Sequence, residues 1–331
     1  MKRLLLTYLG CMAVIFILPA ALAAISSGDG VRLPAPPSEG GTLPTELNVY
    51  FSDEGQTRAI GIEEYVKGVL PAEMPALFAP EAQKAQAVAA RTYVYHKYLN
   101  YVKDPAAASP AHPDAAVCTD PAHCNAYYSE QQLIQRHGQK WAEEYLAKIR
   151  SYADDTAGEI LVYDDEPILA VFHAASAGGA TEASGDVWAR DLPYLVSVKS
   201  AGEEAKAGFV SAVSVSRQEF TAKIKESFPN AEFSENSGAW IGERTRTQAN
   251  HIDTITVGGA EIKGTQIRAM FGLKSTYFDI AVDEKNVTFT VQGAGHGVGM
   301  SQYGANHMAE NGADYKQILE NYYSGAKIVK Y

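Results

Sequence analysis

The apolar positions of this chain fall into two periodicities, and they change over along its length. Leu47, Val49 and Phe51 alternate, Ser52-Asp53-Glu54-Gly55 supplies a turn, and Thr57–Ile60 can return as a second strand. Ile62, Tyr65, Val66, Val69 and Leu70 then follow at i, i+3, i+4, i+7 and i+8, the stripe of an amphipathic helix, which Pro71 is expected to end. Pro80 suits the first turn of a second helix through Tyr98, rich in Ala, Gln and Lys. Between them lies Pro71-Ala72-Glu73-Met74-Pro75, so Glu73 is expected in a short, stiff interhelix turn. Glu130–Arg150 reads as a further helix. Ile160–Tyr163, Ile168–His173, the run from Ile252 to Val257, and Val287–Val291 read as strands, and Ser301–Tyr323 is again helical. Helices and strands are segregated along the chain, which predicts an α+β fold, taken as one elongated domain with a groove.

The ends of this pattern set the organisation. Lys2 and Arg3 precede Leu4–Ala24, a run with no charged residue. About 20 apolar residues span a bilayer, and flanking cations stay on the cytoplasmic side. Residues 1–24 therefore read as a transmembrane signal anchor. Ala21-Leu22-Ala23 leaves a cleaved signal peptide open. Cys11 precedes most of the apolar run, so it reads as a small hydrophobe and not as a lipidation site. Residues 25–46 are rich in Gly, Ser and Pro and read as a flexible linker. The folded domain is expected over 47–331, on the extracytoplasmic side, with an Ala/Pro/Asp-rich insertion near 104–128.

Composition adds mainly exclusions. The chain has 331 residues, 46% hydrophobic and 20% charged, with a formal net charge of −11. Such an acidic balance, with no cluster of Lys and Arg, argues against nucleic acid as a partner. The 19 tyrosines could line a carbohydrate groove or simply fill cores and strands.

Three features could carry chemistry. Glu73, held between prolines, could act as a general acid if burial raises its pKa; a surface glutamate on a turn fits the same residues. Lys84 and Arg91 stand at i and i+7 on the following helix and share a face, as substrate-positioning cations or as a solvated basic surface. In the insertion, His112, Cys118, His123 and Cys124 offer two thiols and two imidazoles, either as a tetrahedral zinc set or with Cys118 and Cys124 joined in a disulfide.

Three ordered segments carry a family resemblance. Glu64–Pro75, followed by Lys84-Ala85-Gln86-Ala87-Val88-Ala89-Ala90-Arg91-Thr92-Tyr93, closely resembles the stage II sporulation protein D family of peptidoglycan lytic transglycosylases, which includes amidase enhancers. His173–Glu182, leading to Asp186-Val187-Trp188, looks like the family's Ser/Gly-rich segment, with Ala177 as an extra residue before the glycine pair that shifts the position of Ser176. Gly295–Ala305 matches its C-terminal signature. The resemblance spans about Leu47 to Tyr331. It implies a catalytic acid at Glu73 and glycan-positioning roles for Lys84 and Arg91, with Ser176, His296, Gln302 and Tyr303 as further site residues. It also implies structural zinc at His112, Cys118, His123 and Cys124, and action on stripped glycan strands at the sporulation septum, with sporulation proteins P and M as partners. A non-catalytic amidase enhancer is the second reading; a zinc amidase or peptidase would need an open, three-ligand metal. Gly293, Gly295, Gly297 and Gly299 alternate without completing a dinucleotide or phosphate-loop motif, and read as backbone packed closely beside a groove.

Overall fold

The computed structural model describes residues 44–331. The readings of residues 1–24, including Cys11, and of most of the linker lie outside the described residues. Among the described residues, no helix is long and apolar enough to cross a membrane.

The alternation at the start builds a hairpin, β1 (Glu46–Phe51) against β2 (Gln56–Gly61), antiparallel, with Leu47, Val49 and Phe51 buried. A short β3 (Val117–Cys118) from the insertion adds to β1 in parallel. Helix α1 (Ile62–Glu73) buries the expected stripe, but it does not stop at Pro71. Pro71 sits inside its last turn, and the helix ends one residue before Met74, which is extended (φ −118°, ψ 134°). Pro75 forces that geometry on Met74. Glu73 is thus the last residue of a helix and not part of a loop.

Helix α2 (Pro80–Lys103) is the central rod. Alanines at 82, 85, 87, 89 and 90 are all fully buried, so the helix is covered on nearly every side. The expected helix over Glu130–Arg150 is broken. Helix α3 (Glu130–His137), capped by a Ser129/Gln132 box, stops at Gly138 (φ 92°), and the chain resumes through a widened turn at Ala142–Leu146 into α4 (Ala147–Asp155). Strand β4 (Glu159–Tyr163) lies beside a two-residue β5 (Glu166–Pro167) and the C-terminal β14 (Lys327–Lys330). The strand expected over Ile168–His173 is reduced to β6 (Phe172–His173). Ile168 and Ala170 pass through the core, leaving only Phe172 and His173 to pair in parallel with β13 (Met300–Ser301).

After Phe209 the chain leaves this body to build a lobe of its own. Strands β7 (Val210–Ser216), β11 (Phe278–Val282) and β12 (Asn286–Gln292) form one antiparallel sheet. Strands β8 (Ile241–Arg246), β9 (Ile252–Val257) and β10 (Ala260–Lys263) form another. With helices α5 (Arg217–Ser227) and α6 (Gly264–Phe271) they enclose a core around Phe220, Ile255, Phe271 and Phe289. The chain returns through the glycine run to the expected helical stretch, built as α7 (Gln302–Glu310) and α8 (Tyr315–Tyr322). Gly312 (φ 93°) and the Asp314/Gln317 capping box divide them. The fold is α+β, with several small sheets divided between the body around α2 and the second lobe.

Candidate active site

Glu73 projects from the C-terminal end of α1, half-buried. Its Oε1 accepts the Ala126 N–H at 2.5 Å, and the Gln302 side chain lies beside the same carboxyl and favours its charged form. Burial pushes the Glu73 carboxyl up to about 7, only partly offset by these two donors. A carboxylate at a helix C-terminus also faces the negative end of the helix dipole, which acts in the same direction. The result is a group that holds a proton near neutrality and whose charged form is met by donors already in place, as acid–base work requires.

The opposite wall is the start of α7. Gln302, buried, spans from Glu73 to the Gln86 Oε1 of α2 (3.4 Å). Tyr303 is half-buried and packs edge-on against Phe78 (centroids 4.9 Å apart). Asn306 accepts the Ala79 N–H at 2.7 Å. One helix start therefore docks on the whole Glu73–Pro80 turn, with Leu77 exposed at its rim. The fold brings Gln302 to Glu73, and Tyr303 to Phe78 on the turn that follows it.

Lys84 and Arg91 do share a face, but that face turns toward α4. Lys84 pairs with Glu81 (3.1 Å) and Asp155 (3.5 Å). Arg91 is fully buried, holds both oxygens of Glu63 (2.8 and 2.7 Å), and donates to the carbonyls of Glu159 and Ala153. Neither forms an ion pair with Glu73. A guanidinium so enclosed belongs to the core and presents nothing to a glycan, which corrects the expectation of a groove contact for Arg91; the i, i+7 spacing gave the face but not its direction.

Ser176 is 1% exposed, and its hydroxyl meets His173 Nε2 at 2.7 Å, so it too is an internal group and not a surface contact. His296 is half-buried between His173 (5.7 Å) and Trp188 (5.2 Å), and its Nδ1 accepts the Val298 N–H at 3.1 Å. Burial, then the nearby Arg268, lowers His296 to about 4, so it stays neutral. The glycine run packs against segment 171–182. A Cβ at Gly295 would lie 2.6 Å from the His173 Cβ, and one at Gly299 would strike the Val171 carbonyl, with φ of 113° and 72°. The close backbone approach was legible in sequence; its partner segment was not.

With these positions fixed, comparison with known proteins is informative. The family model described as Stage II sporulation protein matches residues 50–163, which include Glu73 and the insertion. The chain is 36% identical over 287 residues to Stage II sporulation protein D of Bacillus amyloliquefaciens, covering 86% of this chain and 79% of that one. To the protein of the same name in Bacillus subtilis it is 33% identical, covering 99% and 96%. The chain belongs to the stage II sporulation protein D family. It is also 28% identical to the amidase enhancer of Bacillus subtilis, over 80% of this chain and 40% of that protein.

In this family member the insertion gathers His112, Cys118, His123 and Cys124 so that their ligating atoms all lie within 4.8 Å of one another, with both cysteines as free thiols. His112 Nε2 to His123 Nδ1 is 3.1 Å; the sulfurs lie 3.4 to 3.7 Å from imidazole nitrogens. Zinc bonds of about 2.0 Å to nitrogen and 2.3 Å to sulfur place tetrahedral ligand atoms roughly 3.3–3.8 Å apart. The donor set fits. His112 Nδ1 is held by the Ala115 carbonyl (2.8 Å) and His123 Nε2 by Ser109 (2.9 Å), which leaves the other nitrogens free to ligate. Cys124 lies two residues before Ala126, the donor to Glu73. Sequence reading missed Gln86 and Glu203, both buried polar groups. Gln86 stood inside a motif but carried no charge to draw notice, and Glu203 lies outside every motif.

Proposed function

We propose that this protein is a peptidoglycan lytic transglycosylase that cleaves the bond between N-acetylmuramic acid and N-acetylglucosamine, with Glu73 as its acid and then its base. The observation that carries this reading is one accessible carboxyl, pushed by burial to about 7, with Ala126 N–H and Gln302 poised on its charged form. A glycoside hydrolase commonly needs two carboxylates, one as acid and one as nucleophile or base. One is enough when the nucleophile is the sugar's own hydroxyl. Protonated Glu73 gives its proton to the bridging oxygen as the bond to C1 breaks. The resulting carboxylate, met by Gln302 and the Ala126 N–H, takes the proton of the muramyl C6 hydroxyl. Its oxygen bonds to C1, closing a 1,6-anhydro ring with no uptake of water and with Glu73 protonated again. Tyr303, Phe78 and the exposed Leu77 supply an apolar rim for sugar faces.

Product mass tests the reading. Stripped glycan incubated with the protein should yield 1,6-anhydro-muramyl ends, and Glu73→Gln should abolish them. Hydrated reducing ends in their place would sink it. The likeness to the amidase enhancer supports a second reading, glycan binding without cleavage; binding with no product in the wild type would favour it.

The ligand geometry supports Zn2+ held by His112, Cys118, His123 and Cys124. Four protein ligands leave no position for water, so the ion would brace the loop leading to Ala126 and take no part in proton transfer. We place the protein at the outer face of the cell membrane in the sporulation septum, anchored through its N-terminal segment and working with sporulation proteins P and M on peptidoglycan. A pull-down with each partner, and fractionation of sporulating cells, test those assignments.

A further inference from the structure

The geometry points to Glu203 as a positioning residue that sets Gln302 against Glu73. The inference rests on the reading of Glu73 and Gln302 given above.

Glu203 is 2% exposed, outside the three resembling segments, and has no cationic partner among the described residues. Its carboxyl is surrounded by donors. Oε2 accepts the Ser301 hydroxyl at 2.7 Å and the Ser176 N–H at 3.1 Å; Oε1 accepts the Ser200 hydroxyl, which meets the Tyr322 hydroxyl at 2.8 Å. Burial pushes this carboxyl, too, up to about 7. A group so placed is costly to bury, and well-packed apolar residues often do as well for stability alone. What the carboxyl gives is geometry, because its partners come from separate parts of the chain.

Ser301 is the partner that matters. It is the N-cap of α7: its hydroxyl accepts the Gly304 N–H at 3.1 Å while donating to Glu203. The next residue is Gln302, which reaches Glu73 and Gln86. Gly304 lets the arrangement close up, since a Cβ there would lie 2.9 Å from Glu203 Oε1. Through Ser176, the same carboxyl ties this helix start to the His173–Ser176 pair. Ser176 and Gln302, read from sequence as substrate contacts, are thus joined by a residue that touches neither substrate nor Glu73. Glu203 fixes the origin of α7, and with it the distance from the Gln302 amide to the reacting carboxyl. A shift well under the length of a hydrogen bond at this point is enough to slow the chemistry.

The test is Glu203→Leu, which keeps most of the volume but removes the acceptor of the Ser301 and Ser176 donors. We expect kcat for anhydro-muramyl release to fall about tenfold or more with KM within about twofold, because binding at the rim is untouched. The side-chain amide resonances of Gln302 in a 15N-labelled protein should move. Gln302→Met should lower kcat to a similar level, and the double variant should add little to either alone, as expected for residues acting through one contact. If Glu203→Leu fails to fold, Ser301→Ala removes the hydrogen bond to Glu203 together with the cap bond from the Gly304 N–H, and should give the same kcat loss and amide shift. A lowered melting temperature with unchanged kcat and unmoved Gln302 resonances in either variant would overturn the inference in favour of a purely structural role. Should the wild type release no anhydro product, the transglycosylase reading falls, and the Gln302 resonances alone decide the role of Glu203.

Discussion

Glu73 and Glu182 occupy two regions of this molecule that treat a carboxyl in almost the same way. Burial pushes each up to about 7. Each accepts a hydrogen bond from a neighbour, Glu73 from Ala126 and Glu182 from the Thr247 hydroxyl at 2.8 Å. Glu182 even has a histidine beside it, His251 at 3.5 Å. Yet Glu182 is 1% exposed, and its pair is sealed where the glycine run meets the second lobe. Glu73 stands at a helix end with one side open. A perturbed pKa marks both; access alone separates an acid that can meet a substrate from one that cannot. Burial of His251 lowers it to about 4, so the sealed pair faces neutral pH with no positive partner.

Replacing one carboxyl at a time breaks this comparison most directly. Glu73→Gln should lower activity by roughly 10²–10⁴-fold, the usual worth of a general acid, whereas Glu182→Gln should leave product release near the wild-type rate. Comparable losses in both variants would show that access does not discriminate them. The activity of the wild type should also fall as pH rises through about 7, since the free protein must hold the Glu73 proton.

The proposed zinc comes next. Removing it, or replacing Cys124 with Ser, should cost about 3–5 kcal/mol, seen as a melting temperature lower by about 10 °C. Activity of the protein that remains folded should fall as well, because Ala126 is set by the same loop. A chelator that changes neither melting nor product release would exclude the brace.

The stability of the sealed pair gives a smaller effect. A carboxyl whose folded pKa lies above its unfolded value contributes stability that is fully present below the unfolded pKa and is lost as pH rises through the folded one. For Glu182 that window runs from the ordinary glutamate value of 4.5 to about 7. Glu182→Gln should therefore be more stable than the wild type at pH 8, on the order of 1 kcal/mol, with no such gain at pH 4. Chemical denaturation at the two pH values measures it.

Smallest of all is the effect of Gln302→Met on the pH profile. Its amide favours the charged form of Glu73, so its loss should raise the Glu73 pKa and carry the falling limb of activity to higher pH. The limb staying in place would remove Gln302 from contact with the reacting carboxyl.

How much of this was readable beforehand depended on whether a residue's role is local. The hairpin at 46–61, the stripe of α1, the proline start of α2 and two strands of the second lobe, β9 and β12, follow from periodicity and turn chemistry. The His112, Cys118, His123 and Cys124 cluster follows from residue types within one short insertion. Pro71 misled because one missing N–H near a helix end is tolerated, while Pro75 dictates the geometry of Met74. Gly138 and Gly312 each divide a continuous helical pattern, since positive φ at one glycine ends a helix whatever its neighbours prefer.

The sequence by itself determined which residues could do chemistry: a stiffly held Glu73, the histidines and cysteines of the insertion, the Gly295–Ala305 segment. Only the tertiary structure decided which of them meet. It turned Lys84 and Arg91 toward α4, closed Ser176 inside, and brought Gln302 to Glu73 across more than half the chain. It also gave Glu203 the distant donors Ser176 and Ser301 beside its near neighbour Ser200. The physical reason is that desolvation and hydrogen bonding depend on what surrounds a group in space. A periodic pattern states which face of an element is apolar, but not which other element covers it.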